Sequence, residues 1–407
     1  MRVACAWTTV TAVACGGADA DRTPGAAPST PAAVSVDSAG IEVVTVHRSE
    51  WTDGTPWTVD PAPFLDMGAL DGDASQQFFR VQDIATFSDG RIVVANQGSA
   101  EVRTYSPEGE LLWSVGGEGK GPGEFDALFK ARVRNDTIYA HDFRVRRVTV
   151  FDEAGAFVRT ITLDRSGGLP LELWVTDDGF VGLGLSFPDA LNEEQTFLRR
   201  RAQYMHFRPD GSLEGVFAEL RGQEVIMTGR ELPGGGTVVA TTTPLISNQQ
   251  QQAVVEGRLV AAETDRYSVN VFDTGGSLER IIRVPSRERG VSPEEWQAAL
   301  DERLERAETP GAVRNMYEQA DLKPAPELRP NFGRFIEDSE GYVWIAPYRP
   351  ERDQPTPYTV LDPDGGLLGE VALPYGFVPR EIGADFVLGT WRDELDVTHV
   401  RGYRLTR

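Results

Sequence analysis

Between Phe79 and Phe125 apolar and polar residues alternate in four short runs, broken at Asp89-Gly90, around residues 97–100 and at Pro107-Glu108-Gly109. Alternation at a period of two, with Gly at the breaks, predicts four antiparallel strands joined by tight turns. Such a meander is apolar on both faces. It cannot bury both alone, so it requires neighbours of the same kind.

The second half of this pattern recurs along the chain. Val102 to Leu112 with Gly109 matches Val148 to Val158 with Gly155, Tyr204 to Glu214 with Gly211, Val269 to Glu279 with Gly276, and Tyr358 to Leu368 with Gly365. Each copy reads as a strand, a turn closed by Gly in the positive-φ region, and a returning strand. The first halves recur more loosely. Ser88-Asp89-Gly90-Arg91-Ile92 is echoed at Asp177-Asp178-Gly179-Phe180-Val181 and Glu340-Gly341-Tyr342-Val343, while Asn135-Asp136-Thr137-Ile138 and Gly235-Gly236-Thr237-Val238 fill the same slot. The shortest spacing between the repeated glycines, Gly109 to Gly155, is close to the ~40–45 residues of a propeller blade. The longer spacings require insertions.

Two insertions stand out. Residues 243–262, with the polar run Asn248 to Gln252, read as a long loop or hairpin extension. Residues 291–322 change to a helical pattern: Ser292 is a candidate N-cap, Pro293 occupies the first turn with Glu294 and Glu295, and Trp296, Leu300, Leu304 and Ala307 fall on one face. The last repeat lacks its outer strand, having runs only near Arg380 to Ile382, Phe386 to Leu388 and Tyr403 to Leu405. The β-branched run Ile41 to Val46 is the expected replacement, since closure by the opposite chain end removes an exposed edge. The fold class expected is therefore all-β: a six-bladed β-propeller of four-stranded antiparallel blades, closed by an N-terminal strand, with a helical insert between the fourth and fifth repeats.

The opening unit resembles NHL-type six-bladed propellers, in particular bacterial lipoproteins of the uncharacterised six-bladed propeller family. The residues that carry the resemblance are Asp83-Ile84-Ala85, Ser88 to Asn96, Val102 to Tyr105 with Gly109, and Val115 to Phe125. It is close over 79–160, recognisable as a pattern to the C-terminus, and absent before about residue 40. Asn96 departs from the Asp usual after the second strand, which Asp142 keeps in the next blade. The family implies an architecture and no particular chemistry, because propellers host binding modules, lyases, lactonases and dehydrogenases alike.

Composition narrows the partners. A formal charge of −22 over 407 residues excludes the basic footprint that nucleic-acid binding needs. Cys5 and Cys15 are the only cysteines, so the expected folded body has no disulfide and no thiolate. Ala12-Val13-Ala14-Cys15 is similar to a bacterial lipobox, although Ala12 stands where a larger aliphatic is usual. The residues after it, rich in Ala, Gly, Pro, Ser and Thr, read as a tether. The organisation expected is a signal peptide and lipobox over 1–15, a tether over 16–40 and the propeller over 41–407. The protein is then exported and lipid-anchored through Cys15 in the cell envelope, at the periplasm or outer membrane. An Ala-rich start without targeting meaning is the alternative.

Candidate chemistry is sparse. Lys120 lies among glycines, yet no Gly stands six residues before it and Gly121 replaces the Ser or Thr of a phosphate loop. A crossover between blades explains the stretch better. His47, His141, His206 and His399 lack partner motifs; His141-Asp142, at the end of a second strand, is either a site or a structural His beside a turn-capping Asp. Alternation predicts a ring of inner-strand residues at the propeller axis: Asp83, Arg132, Glu172, Arg230, Arg334 and Arg380, with Asp142 nearby. These seven are the ligand-binding candidates, either for an anionic or sugar ligand through bidentate contacts or as a self-satisfied salt-bridge network. No catalytic residue is assigned. The function expected is that of a binding module for a protein, peptide or glycan, acting as a monomer, without a cofactor apart from a Ca2+ ion the axial channel is able to take. The second reading is a metal-dependent lyase or lactonase with Asp83, Asp142 and Glu172 as axial ligands. A third makes 291–322 the docking element of an envelope complex.

Overall fold

The computed structural model describes residues 31–52, 54–186, 196–231, 237–285, 290–305, 311, 328–349, 351 and 353–407. Cys5, Cys15 and most of the expected tether lie outside them. The folded body runs from Ala32 to Arg407, and its described residues form six sheets. Blade 1 has strands Val81–Thr86, Ile92–Asn96, Glu101–Tyr105 and Leu111–Gly116; blade 2 has Leu128–Arg134, Thr137–Asp142, Arg147–Phe151 and Phe157–Thr162. Blade 3 has Pro170–Thr176, Gly179–Ser186, Thr196–Phe207 and Leu213–Glu231, with Thr237–Thr242 added at its far edge. Blade 4 is built on Gln250–Val255, Arg258–Glu263, Ser268–Phe272 and Leu278–Arg283, blade 5 has Phe335–Glu337, Val343–Ile345, Thr356–Leu361 and Leu367–Leu373, and blade 6 has Val378–Ile382, Phe386–Arg392 and Thr398–Thr406. The innermost strands of neighbouring blades touch, those of blades 3 and 4 through the Gln252–Glu172 hydrogen bond, and the sixth touches the first. This is a closed six-bladed β-propeller, as the repeats predicted.

The repeated glycines explain the spacing of the blades. Gly109, Gly155, Gly211, Gly276 and Gly365 all adopt φ between 82° and 91°. Each also lies against the outer strand of the preceding blade. A Cβ on Gly211 would stand 2.4 Å from the Thr162 carbonyl, and one on Gly276 would stand 2.1 Å from the Phe217 carbonyl. Gly is therefore demanded twice, by the turn and by the close approach of the next blade.

Six apolar clusters fill the six interfaces between blades. Between blades 1 and 2 Ala85, Val93 and Val102 meet Phe125, Leu128 and Ile138; between blades 5 and 6 Trp344, Tyr358 and Val360 meet Ile382, Val387 and Tyr403. Burying one large apolar side chain contributes roughly 1.5–3 kcal/mol. Stability is thus distributed around the ring, and the axis is left to polar residues.

Three expectations about the chain ends and insertions change. Ile41–Val46 does not close the ring: it pairs in parallel with Leu278–Arg283 of blade 4, and Ala33–Ser38 pairs antiparallel with it. Blade 4 is a six-stranded sheet as a result, and the strand Ala33–Ser38 lies inside the segment expected to be a tether. An N-terminal strand does close the ring, but it is Leu65–Met67, which pairs with Thr398–Thr406 of blade 6. Leu65 and Met67 are buried between blades 6 and 1, so burial of two side chains outweighs the stronger strand propensity of the earlier run. Val44 and Val46 find equivalent burial between blades 4 and 5.

The third change concerns the Gln-rich run. Gln250–Val255 and Arg258–Glu263 are the two inner strands of blade 4, and Thr237–Thr242 belongs to the extension of blade 3. The helix Pro293–Glu305 lies between blades 4 and 5 as expected. The Ser292 hydroxyl accepts from the Glu295 amide at 3.1 Å, as an N-cap should. Leu300 and Leu304 pack on Ile226 of the blade 3 extension, with Leu245 and Trp296 beside them. Ala307 and residues 312–327 lie outside the described residues.

Candidate functional site

The innermost strands place polar side chains around the axis, where they line a cavity of about 140 Å³. Asp83, Arg132, Glu172, Arg334 and Arg380, all expected there, do converge on it. Lys130, Gln252 and Glu337 join them. Four inner strands carry a β-bulge where they face the cavity, with the register shifting at Val81/Asp83, His141/Asp142, Pro170/Glu172 and Pro379/Glu381. Of the residues these bulges leave unpaired, Gln82, Phe129 and Arg380 line the cavity. Bulges turn extra side chains toward a site that strict alternation would point away from it.

The charges fall into two groups. Asp83 is 1% exposed; its Oδ2 lies 3.0 Å from Arg132 Nε and accepts from the Ala131 amide at 3.3 Å. Arg132 also reaches Glu337 at 3.8 Å. Burial disfavours the Arg132 charge, but Asp83, Glu337, Glu381 and Glu172 outweigh it and hold the guanidinium above its ordinary pKa. Glu172 accepts from Gln252 Nε2 at 3.3 Å, and Gln252 Oε1 accepts from the Tyr204 hydroxyl at 3.2 Å. Next to Arg380, Glu381 accepts from the Thr86 hydroxyl at 2.7 Å, while its Oε2 is buried without a partner. Burial pushes its carboxyl up to about 7.

Arg334 and Arg380 form the second group. Arg334 donates to the Pro379 carbonyl and Arg380 to the Val81 carbonyl at 3.4 Å. Burial and then the neighbouring Arg334 pull Arg380 down to about 10. Lys130 lies 5.7 Å from the centre of the Trp174 ring. Among the described residues no carboxylate comes within ion-pair distance of Arg334, Arg380 or Lys130. The cavity therefore holds four cationic side chains and three carboxylates, inside a strongly acidic protein.

Two expected site residues fall elsewhere. Asp142 is fully buried and spends both carboxylate oxygens on backbone amides. Oδ2 accepts from Asp126 at 2.6 Å and Ala127 at 3.0 Å, and Oδ1 accepts from Arg144 at 3.1 Å and Val145 at 3.2 Å. It is a turn cap. Asn96 does the same work in blade 1, accepting from the Phe79 amide at 2.9 Å, which accounts for the Asn-for-Asp difference. Burial drops His141 to about 4, so its ring is neutral at physiological pH. Arg230 lies on the outer extension strand Leu213–Glu231, paired with Val238, and not on an inner strand; Gln250–Val255 occupies the inner place. Among the described residues no group of three or more His, Cys, Asp and Glu side chains is arranged to hold a metal ion.

Lys120 is exposed at the crossover from blade 1 to blade 2. That crossover is held by the Gly117 amide on the Ala100 carbonyl at 2.8 Å and by the Gly121 amide on Glu124 at 2.8 Å. The glycine-rich stretch is structural.

Comparison with known proteins supports the architecture. A family model described as 6-bladed beta-propeller, DUF5128, matches residues 74–171. No curated protein matches the chain. Among solved structures, a member of the DUF4221 family from Bacteroides vulgatus superposes with a TM-score of 0.50 at 11% identity, covering 86% of this chain and 99% of that one. A Bacteroides fragilis protein whose description proposes export gives 0.47 at 12% identity, over 86% of this chain and 96% of that one. Virginiamycin B lyase from Staphylococcus aureus gives 0.39 at 8% identity, over 86% and 100%. At such identities the likeness is one of fold. No helix among the described residues is long and apolar enough to cross a membrane.

Proposed function

We propose that this protein is a cell-envelope binding module whose propeller face receives part of a protein, peptide or glycan ligand in the axial cavity. The observation that carries the reading is the surplus of cationic side chains that have no carboxylate at ion-pair distance in the cavity. A purely structural network pairs its buried charges; here no carboxylate of the described residues stands at ion-pair distance from Arg334, Arg380 or Lys130. The residues that line the cavity lie near the beginnings of the innermost strands. The helix Pro293–Glu305 and the blade 3 extension belong to connections at that same end, and both give a ligand further surface. An axial metal site is not supported by the donor set, since Asp142 is a turn cap and Asp83 is engaged by Arg132.

Plugging the cavity tests the reading. Gln82→Trp, at a bulged position on the cavity wall, is expected to abolish capture of ligands from peptide and glycan arrays while circular dichroism stays that of a β-propeller. Undiminished capture would overturn it. Export and anchoring through Cys15 belong to the same proposal. Cys15→Ser is expected to move the protein from the membrane to the soluble fraction of its cells, and unchanged partitioning would refute the anchor.

A further inference from the structure

We propose that the axial cavity recognises a carboxylate, the acidic group of a larger ligand, held between Arg334 and Arg380 with Lys130 nearby. The proposal rests on the binding reading above and names the chemistry it selects. Both guanidiniums line the cavity and donate to main-chain carbonyls, Arg334 to Pro379 and Arg380 to Val81, with the Tyr358 side chain beside Arg334. Arg380 Nε is buried with no hydrogen-bond partner. A guanidinium is a planar fork whose paired donors match the two oxygens of a carboxylate. Two such forks line one cavity with no carboxylate of the described residues at ion-pair distance, which suits them to receive an anion.

Size and charge limit what enters. A cavity of about 140 Å³ is smaller than the ~300–1,000 Å³ that holds a whole drug-sized ligand. Only a terminal group enters, and the remainder of the ligand lies across the propeller face. Four cations against three carboxylates leave a surplus of one positive charge. A monoanionic carboxylate balances that surplus, whereas a phosphate dianion overshoots it and meets Asp83, Glu172 and Glu337. Gln252, which already hydrogen-bonds Glu172 and Tyr204, places an amide beside the cations for a neutral polar group of the same ligand.

The test uses the full chain and four probes at constant ionic strength: acetate, glucuronate, glucose and inorganic phosphate. Isothermal titration and thermal shift are expected to show saturable millimolar binding of the two carboxylates, a weaker phosphate response and none from glucose. Arg334→Gln and Arg380→Gln, each checked for fold by circular dichroism, should weaken glucuronate at least fivefold. Glucuronate binding unchanged in both variants would overturn the proposal. So would phosphate binding more tightly than glucuronate. Glucose binding as well as glucuronate would overturn the carboxylate selectivity and leave the binding module standing. If no probe binds, the carboxylate site is wrong, and the Gln82→Trp array experiment then judges the wider reading separately.

Discussion

On blades 1 and 2 the axial cavity is lined by Asp83 and Arg132, 3.0 Å apart, with Glu337 of blade 5 completing the pair at 3.8 Å. On blades 5 and 6 it is lined by Arg334 and Arg380, which donate to carbonyl oxygens, repel each other and have no carboxylate of the described residues at ion-pair distance. Both groups are carried by the innermost strands or, for Arg334, by the residue just before one. In the first every charge has an opposite charge at ion-pair distance, and the group stabilises the ring. The second keeps its charge available, and that availability is what a binding site requires and a structural network avoids. Buried charge alone thus says little about function; the distinguishing observation is whether the partner is already present.

Substitutions separate the two groups. The largest expected effect is Asp83→Ala, which strands Arg132 and the Ala131 amide and should lower stability by about 3 kcal/mol, read from the urea midpoint. Glu381→Gln comes next. Its carboxyl rises from 4.5 to about 7 in the folded state, so the native protein keeps a proton that the unfolded chain releases. Stability is unaffected below the lower value and falls as pH rises toward 7. The variant should match the parent near pH 4 and exceed it by ~1–3 kcal/mol near pH 8, and pH-dependent denaturation checks the sign. The smallest effect is Arg380→Gln, which relieves repulsion with Arg334 and should change stability by less than about 1 kcal/mol. A loss there as large as that of Asp83→Ala would erase the distinction between the groups.

Much of the molecule was legible beforehand because its determinants are local. The five turn glycines need positive φ wherever they occur, and their recurrence marked the blades. The Ser292-Pro293 start of the helix was equally plain. Of the axial residues, Asp83, Arg132, Glu172, Arg334 and Arg380 followed from alternation. Lys130 was accessible by the same rule, two residues before Arg132 on one strand. Glu381 was not, because it follows Arg380 directly and a regular strand would send the two to opposite faces; at the bulge Pro379/Glu381 the unpaired Arg380 lines the cavity, while Glu381 is buried against Thr86. Arg230 was misplaced for the complementary reason. A Gln-rich run looks like a loop when inner strands are expected to be apolar, although an inner strand facing a polar cavity accommodates glutamine well.

The sequence by itself determined the unit, its repetition and the turns between strands, since φ preference and period-two alternation act over a few residues. Only the tertiary structure decided which N-terminal segment closes the ring. Leu65–Met67 and Ile41–Val46 are both able to pair as strands, and the choice was made by the burial each finds against distant blades. Charge pairing at the axis was decided in the same way. Whether an arginine meets a carboxylate or a ligand depends on residues brought together from opposite ends of the chain, and no local rule records that meeting.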